Sequence, residues 1–373
     1  MLESYFIGFY WLVLLAQLIH LWLMYKTNRT SSESDISSKD LPGISVVICF
    51  KNEADNLKKN LPQILNQKVD FPVQWVFVND GSTDQSVEVI NQIVNVQDYR
   101  VIEIAPKEKV GIGKKYALKK GVAACKYDRV LLTDADCHPA SDHWIDQMNH
   151  GLNNHPIVLG ASPLLVENGF WKHYFSFESW WIKFNYFMMA KLGMAYMGVG
   201  RNLAYHKSIF EQYFRFEDHA HIPSGDDDII INNAVKNGVD IGVANHSESY
   251  VFSQSPLGFK AYWKQKTRHL QAGVKYNRWV LYVLGFIQFI YAVELLIILG
   301  APFMHNLMFK VLVLFLIKEL IVFITFRQLV KFDSQKKALG LSTIYRVLSV
   351  VIQIFLTLRI LTSSNKHGST TWK

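Results

Sequence analysis

Two patterns of hydrophobic positions divide this chain. Toward both ends the apolar residues run almost continuously, over 5–25, 279–303, 307–326 and 343–362, and each run is long enough to span a bilayer. Between about 40 and 270 they come instead in short runs broken by polar turns, as in a water-soluble domain. Ile44 to Phe50 is a β-branched run preceded by Pro42-Gly43 and followed by Lys51-Asn52-Glu53, which predicts a buried strand, and helical spacing follows from Asn56 to about Leu65. The alternation repeats with Gln74–Val78 and a helix on Val87, Ile90 and Val94, then with Arg100–Ile104 and a helix over Lys115–Cys125. Asn79-Asp80-Gly81 would also suit a hairpin turn, but Ser82 or Thr83 as an N-cap favours a strand followed by a helix. A fourth strand, from Val130, ends in Thr133-Asp134-Ala135-Asp136. Alternation of this kind predicts an α/β fold with a mostly parallel sheet, which binds its ligands beyond the carboxyl ends of the strands.

The same patterns set the domain organisation: an N-terminal transmembrane anchor (1–26), a polar linker (27–41), a soluble domain (42–258), an interfacial amphipathic segment (259–278) and a C-terminal region (279–373) with about three transmembrane helices. The first apolar run is too long for a signal-peptide core and lacks a basic leader and a small-residue cleavage site, so it reads as an anchor. Charge then orients the chain. Lys26 and Arg29 follow the first span, six basic residues crowd 260–278, five occupy 327–346, and the loop at 302–309 has none. The positive-inside tendency predicts a multi-pass protein of the cell membrane with its soluble domain in the cytosol, the second span leaving, the third returning and the fourth leaving again. The net charge of +8 is mostly membrane-flanking, and without a Lys/Arg run it gives no reason to expect nucleic acid. Cys49, Cys125 and Cys137 have no Cys-x-x-Cys spacing, which excludes the usual zinc and disulfide patterns. The sequons at Asn28 and Asn245 would face the cytosol and are discounted.

Candidate chemistry gathers at the strand ends. Strand side chains alternate faces, so Asp134 and Asp136 point together into the crevice beyond the fourth strand. Carboxylate oxygens suit Mg²⁺ or Mn²⁺, whose remaining positions take phosphate oxygens and water, so a nucleotide diphosphate is the first ligand to consider. Asp-x-Asp alone is common in solvated turns; its setting is what makes it informative. Ser224-Gly225-Asp226-Asp227-Asp228 opens a helical pattern, and crowded carboxylates there serve either as a cap or as a proton acceptor. Gln265 and Arg268, three apart on an amphipathic segment, share a helix face. The aromatic stretch 170–184 fits either a core or a membrane interface, and Glu294 with Lys318 is the expected ion pair within the spans.

Six stretches in one order resemble the family 2 glycosyltransferases, inverting enzymes that include cellulose, hyaluronan and ceramide-glucosyl synthases. They are Ser45-Val46-Val47-Ile48 with Asn52-Glu53, Val78-Asn79-Asp80-Gly81-Ser82-Thr83-Asp84, Gly113-Lys114 with Ala117-Leu118 and Gly121, Thr133–Asp136, Gly225–Asp228, and Gln265–His269. The resemblance covers roughly residues 42–270. It implies a Rossmann-like nucleotide-sugar transferase sheet of the GT-A type and a nucleotide-diphosphate sugar donor. It also implies a metal on Asp136, with Asp134 facing the ribose or the metal shell, Asp80 on the nucleobase and Glu53 on the nucleoside. Lys114 is a further donor contact, while Lys115, Lys119 and Lys120 are expected to be solvated. Asp227 is the implied catalytic base, with Asp226 or Asp228 as the neighbouring alternative; Arg268 and Gln265 would meet the diphosphate, and Gly200 lies on the acceptor side. The family has a tryptophan after the arginine, where this chain has His269, which argues against a glucan-stacking platform there. The expected acceptor is a lipid or saccharide. A processive polysaccharide synthase is the competing enzyme, and a non-catalytic nucleotide-sugar-binding membrane subunit the competing class, one that would be free to lose the carboxylates retained here.

Overall fold

A computed structural model describes residues 2–29, 41–105, 107–111, 113–216, 225–273, 276–303 and 305–362, apart from the side chains of residues 2, 226, 270–273, 305–306 and 360–362. Most of the predicted linker, 30–40, lies outside these residues. The core is a seven-stranded sheet in the order β3-β2-β1-β4-β7-β6-β8. Its strands are β1 (Ile44–Phe50), β2 (Val73–Asn79), β3 (Tyr99–Glu103), β4 (Arg129–Asp134), β6 (Ile157–Gly160), β7 (Leu203–His206) and β8 (Ile241–Ala244). The four strands read from the sequence pair in parallel, and β7 runs antiparallel to both β4 and β6. The fold is therefore the mostly parallel α/β sheet expected, with β7 as its antiparallel member.

Register aligns the strand ends. Phe50 lies opposite Asn79, and Cys49 opposite Asp134, so the polar turns after β1, β2 and β4 open on one edge. The helices α2 (Ala54–Leu65), α3 (Ser86–Ile93) and α4 (Lys115–Ala123) return the chain between strands. α4 lies so close to the sheet that a Cβ on Gly121 would come within 2.7 Å of Val47 and 2.9 Å of Val78. α3 begins at Ser86, later than an N-cap at Ser82 or Thr83 would give, because Asp84 Oδ1 accepts hydrogen bonds from the Ser86 backbone and hydroxyl. A two-stranded ribbon, β5 (Cys137–Pro139) with β9 (Val251–Ser253), fixes the chain's course just after Asp136.

Among the described residues, three helices are long and apolar enough to cross a membrane: α1 (Leu2–Asn28), α10 (Arg278–Gly300, its apolar stretch reaching Phe303) and α12 (Ser342–Thr362). Between the last two, α11 (His305–Leu329) is 25 residues long but carries Lys310, Lys318 and Glu319 within its apolar run. Lys318 Nζ reaches Glu294 Oε2 at 2.6 Å, the pair anticipated from the sequence, and also Glu319 Oε1 at 2.7 Å, while Arg346 pairs with Glu319. Ions buried away from water require this pairing.

The aromatic stretch resolves as α6 (Phe170–Lys191), following α5 (Trp144–Gly151), and most of its rings are core rather than interface. Trp181 and Phe177 stack on Phe326 of α11, and Tyr174 meets Tyr345 of α12. α6 also grips the anchor: Asn28 Nδ2 donates to the Phe184 carbonyl at 2.9 Å, and Lys183 Nζ donates to Asn28 Oδ1 and Asn245 Oδ1 at 3.1 and 2.6 Å. Burial pushes the Lys183 ammonium well below its usual range. Both sequon asparagines are thus buried joints, which a glycan could not reach.

α9 (Phe259–Gly273) is the amphipathic helix expected ahead of α10. α12, as the sequence run suggested, is apolar and long enough to cross a membrane; Ser349 Oγ in its first half lies 3.4 Å from Tyr174 Oη, and Arg359 near its end shares a groove with α9.

Candidate active site

The crevice is built from the turns at the carboxyl edge of the sheet. The first two are stitched together: Asn52, with φ of 54°, accepts the Thr83 N–H on Oδ1 at 2.8 Å and donates its own N–H to Ser82 Oγ at 3.0 Å. The Ala54 N–H reaches Asp84 Oδ2 at 3.0 Å, and the Glu53 N–H reaches Ser86 Oγ at 2.9 Å. These bonds place Glu53 at the mouth of α2, where its buried carboxylate accepts from Asn56 Nδ2 at 2.5 Å.

Asp80 forms the floor. Its carboxylate is 2% exposed, pairs through Oδ2 with Lys109, and leaves Oδ1 buried without a hydrogen-bond partner among the described residues. Burial raises its pKa above the ordinary carboxylate value, although Lys109 pulls the other way. A buried oxygen with spare accepting capacity suits an N–H donor of a ligand.

Asp134, Asp136 and Cys137 offer ligand atoms that lie within 4.8 Å of one another. The Cys137 thiol donates to Asp136 Oδ1 at 3.2 Å, and burial holds its pKa well above the usual thiol range. The two half-exposed carboxylates are a hard oxygen set that fits Mg²⁺ or Mn²⁺. Asn60 Nδ2, donating to the Ala135 carbonyl at 3.0 Å, pins the turn between the two acids.

Lys114 Nζ lies 3.0 Å from Asp134 Oδ1, whereas Lys115, expected to be solvated, is only 1% exposed. Lys115 falls on the sheet side of α4, and Lys119 and Lys120 remain exposed. Opposite them, Gly225 with φ of 84° starts α8 (Asp226–Lys236), which follows α7 (Lys207–Tyr213). Asp227 Oδ2 accepts the Gly200 N–H at 2.7 Å. A Cβ on Gly200 would lie 3.3 Å from that oxygen and 3.5 Å from Lys114 Nζ. Lys114, Asp134, Gly200 and Asp227 therefore share one wall. Asp228 turns elsewhere, accepting from Tyr276 Oη at 2.8 Å, and the Asp226 side chain lies outside the described residues.

Gln265 and Arg268 stand on one face of α9, both half-buried, and His269 is exposed. Arg268 Nε is buried without a hydrogen-bond partner among the described residues. Arg201, bound through Nε and Nη2 to Ser162 at 2.6 and 3.0 Å, is close enough for its charge to act on both Cys137 and His269. Sequence reasoning passed over Arg201, Lys109 and Tyr276 as site residues. Arg201 adjoins Gly200 in a segment already singled out, while Lys109 and Tyr276 sit in patternless loops and carry no signal.

Comparison with known proteins gives the family and the fold. The profile of glycosyl transferase family 2 matches residues 45–214, and that of glycosyl transferase family group 2 matches residues 130–355. A poly-beta-1,6-N-acetyl-D-glucosamine synthase of Staphylococcus aureus strain MSSA476 is 29% identical over 114 residues, which is 31% of this chain and 26% of that protein. An uncharacterized glycosyltransferase of Haemophilus influenzae is 29% identical over 120 residues, 32% of this chain and 46% of that protein. The chain thus spans only about a quarter to a half of these relatives. Among solved structures, the mannosyltransferase PcManGT from Pyrobaculum calidifontis, in complex with GDP-Man and Mn²⁺, superposes with a TM-score of 0.57 over 98% of this chain and all of that one, at 16% identity, a likeness of fold. With the second profile spanning more than half of its length and the first covering the strands that carry the acids, this chain belongs to the family 2 glycosyl transferases.

Proposed function

We propose that this glycosyltransferase is an inverting, membrane-bound enzyme that moves a sugar from a nucleotide-diphosphate sugar to a hydroxyl of a lipid or lipid-linked acceptor, with its catalytic domain in the cytosol. The observation that carries this reading is the convergence of Asp80, Asp134, Asp136, Lys114 and the Asp227–Gly200 pair at one sheet edge. Asp136, with Asp134, would hold Mg²⁺ or Mn²⁺, which supplies charge stabilisation to the departing diphosphate. The PcManGT complex with GDP-Man and Mn²⁺ supports this assignment. Asp80 takes the nucleobase through its buried Oδ1, Glu53 borders the nucleoside, and Lys114 brings a positive charge to the phosphates. Gln265 and Arg268 approach the diphosphate from α9, with Gly200 and His269 on the acceptor side and Asp226 at the head of the base helix.

Asp227 acts on the acceptor. The Gly200 N–H stabilises its ionised form and fixes its direction, and it takes the hydroxyl proton as the acceptor oxygen bonds to the anomeric carbon. The sugar–phosphate bond breaks on the opposite face, so configuration inverts without a covalent sugar intermediate. Asp136→Ala is expected to weaken metal-dependent donor binding, and Asp227→Asn to leave donor binding nearly intact while removing turnover. Donor titration with and without Mn²⁺, with turnover on each variant, checks both. Retained turnover in Asp227→Asn would sink the base assignment.

A second reading, synthesis of a polysaccharide, is favoured by the similarity to the S. aureus synthase. Membranes containing this chain, given labelled nucleotide sugar and then solvent-extracted and sized, separate the two. A product of one or a few sugars on an extractable acceptor supports the first; long lipid-free chains support the second.

A further inference from the structure

Beside α9, away from the acidic turns, lies an open groove of about 680 Å³ between that helix and the end of α12. We propose that it seats the headgroup of an anionic membrane phospholipid, distinct from the sugar acceptor. Four cations line it, Lys260, Lys264, Arg268 and Arg359, and none of its lining residues is acidic. Leu257 and Trp263 supply apolar wall, and Leu257 is 96% exposed. A saccharide groove would offer carboxylates or amides for hydroxyl groups, and this one offers neither. The cations on the opposite side of α9 have partners, as with Lys266 and Glu178 at 2.9 Å, whereas no carboxylate pairs with Lys260 or Lys264 among the described residues.

The level of the groove selects the source of the anion. Arg359 closes the apolar stretch Ser342–Arg359, and α9 leads within a few residues to the apolar α10. The groove thus opens where apolar helix gives way to polar surface, the depth of phosphate headgroups. A phospholipid meets every feature at once: phosphate to the cations, acyl chains along Leu257 and Trp263.

The test uses the full-length protein, purified in detergent and delipidated, titrated with phosphatidylglycerol or phosphatidylcholine and read by native mass spectrometry. Phosphatidylglycerol is expected to bind at least tenfold more tightly. Lys260→Gln with Lys264→Gln should weaken it roughly thirtyfold, at about fivefold per cation. The control, Lys58→Gln with Lys59→Gln on the exposed face of α2, removes the same charge elsewhere and should change nothing. If the groove double variant does not fold, Lys264→Gln alone is read at about fivefold. Equal binding of the two lipids, an equal loss in the control, or displacement of the lipid by soluble glycerol phosphate at equal concentration would each overturn the proposal. Donor binding, measured in parallel, reports on the catalytic reading independently.

Discussion

Gly200→Ala isolates the orientation of Asp227 from every other property of the crevice. The added Cβ would lie 3.3 Å from Asp227 Oδ2, tighter than ordinary contact, and 3.5 Å from Lys114 Nζ, an ordinary contact that leaves the Lys114–Asp134 pair in place. The Asp227 carboxylate must retreat by a few tenths of an ångström, and retreat lengthens its 2.7 Å bond to the Gly200 N–H. Hydrogen bonds to charged groups contribute about 1.5–3 kcal/mol, so loss of this one in the transition state lowers kcat by roughly ten- to a hundredfold. Donor affinity, which this reading assigns to Asp80, Asp134 and Asp136, should stay within about twofold, and the melting temperature should hardly move because the glycine φ is one an alanine adopts. Gly198→Ala is the matched control, its Cβ meeting Ile231 at 3.4 Å and Asp227 only at Cβ, 3.6 Å away. The assay is steady-state transfer with a parallel donor titration by calorimetry. A Gly200→Ala enzyme with kcat within threefold of the parent, or one that loses donor affinity at unchanged kcat, would refute the reasoning.

Donor affinity should fall on acidification with a midpoint above the ordinary aspartate value. Asp80 is a strong, charge-assisted acceptor only when ionised, and burial raises its pKa, so binding is tightest at higher pH and weakens as pH drops through that raised value; Asp80→Asn should abolish this dependence in a pH series of donor titrations. Lys318→Met strands the Glu294 carboxylate in an apolar bundle and should cost about 3 kcal/mol or more, while the double change with Glu294→Gln recovers most of it, as read from thermal unfolding in detergent; equal melting of parent and single variant counts against the network. A cysteine replacing His305 should react with an impermeant thiol reagent only from the non-cytosolic face of intact membranes, since the native cysteines are buried; labelling from the cytosolic side alone reverses the topology.

The four parallel strands and the acidic turns were legible because each is a local signal: a β-branched run, a polar turn, then a helical period. Asp134 and Asp136 were readable from their spacing, although strand alternation was not the reason they meet: β4 ends at Asp134, and Asp136 lies in the turn that follows. Long-range partners were not. Nothing in the sequence says that Gly200 donates to Asp227, that Lys109 neutralises the floor beside Asp80, or that Cys137 caps Asp136 with its thiol. The helix α6 misled for a related reason, because aromatic rings suit a membrane interface and a crowded core equally well until their neighbours are known. α12 was legible as a long apolar helix from hydropathy, but its contacts with Tyr174 and with α9 were not.

Asp227 and Asp228 are adjacent on α8, yet they answer to different parts of the molecule: one to Gly200, the other to Tyr276, two residues before the apolar helix α10. The ring of Tyr276 packs edge-on against Tyr196 at 5.3 Å, in the segment that leads to Gly200. Tyr276 thus ties the start of α10 both to the helix that carries Asp227 and to the segment whose N–H orients that carboxylate, two long-range contacts between elements far apart in the chain that no local sequence pattern announces.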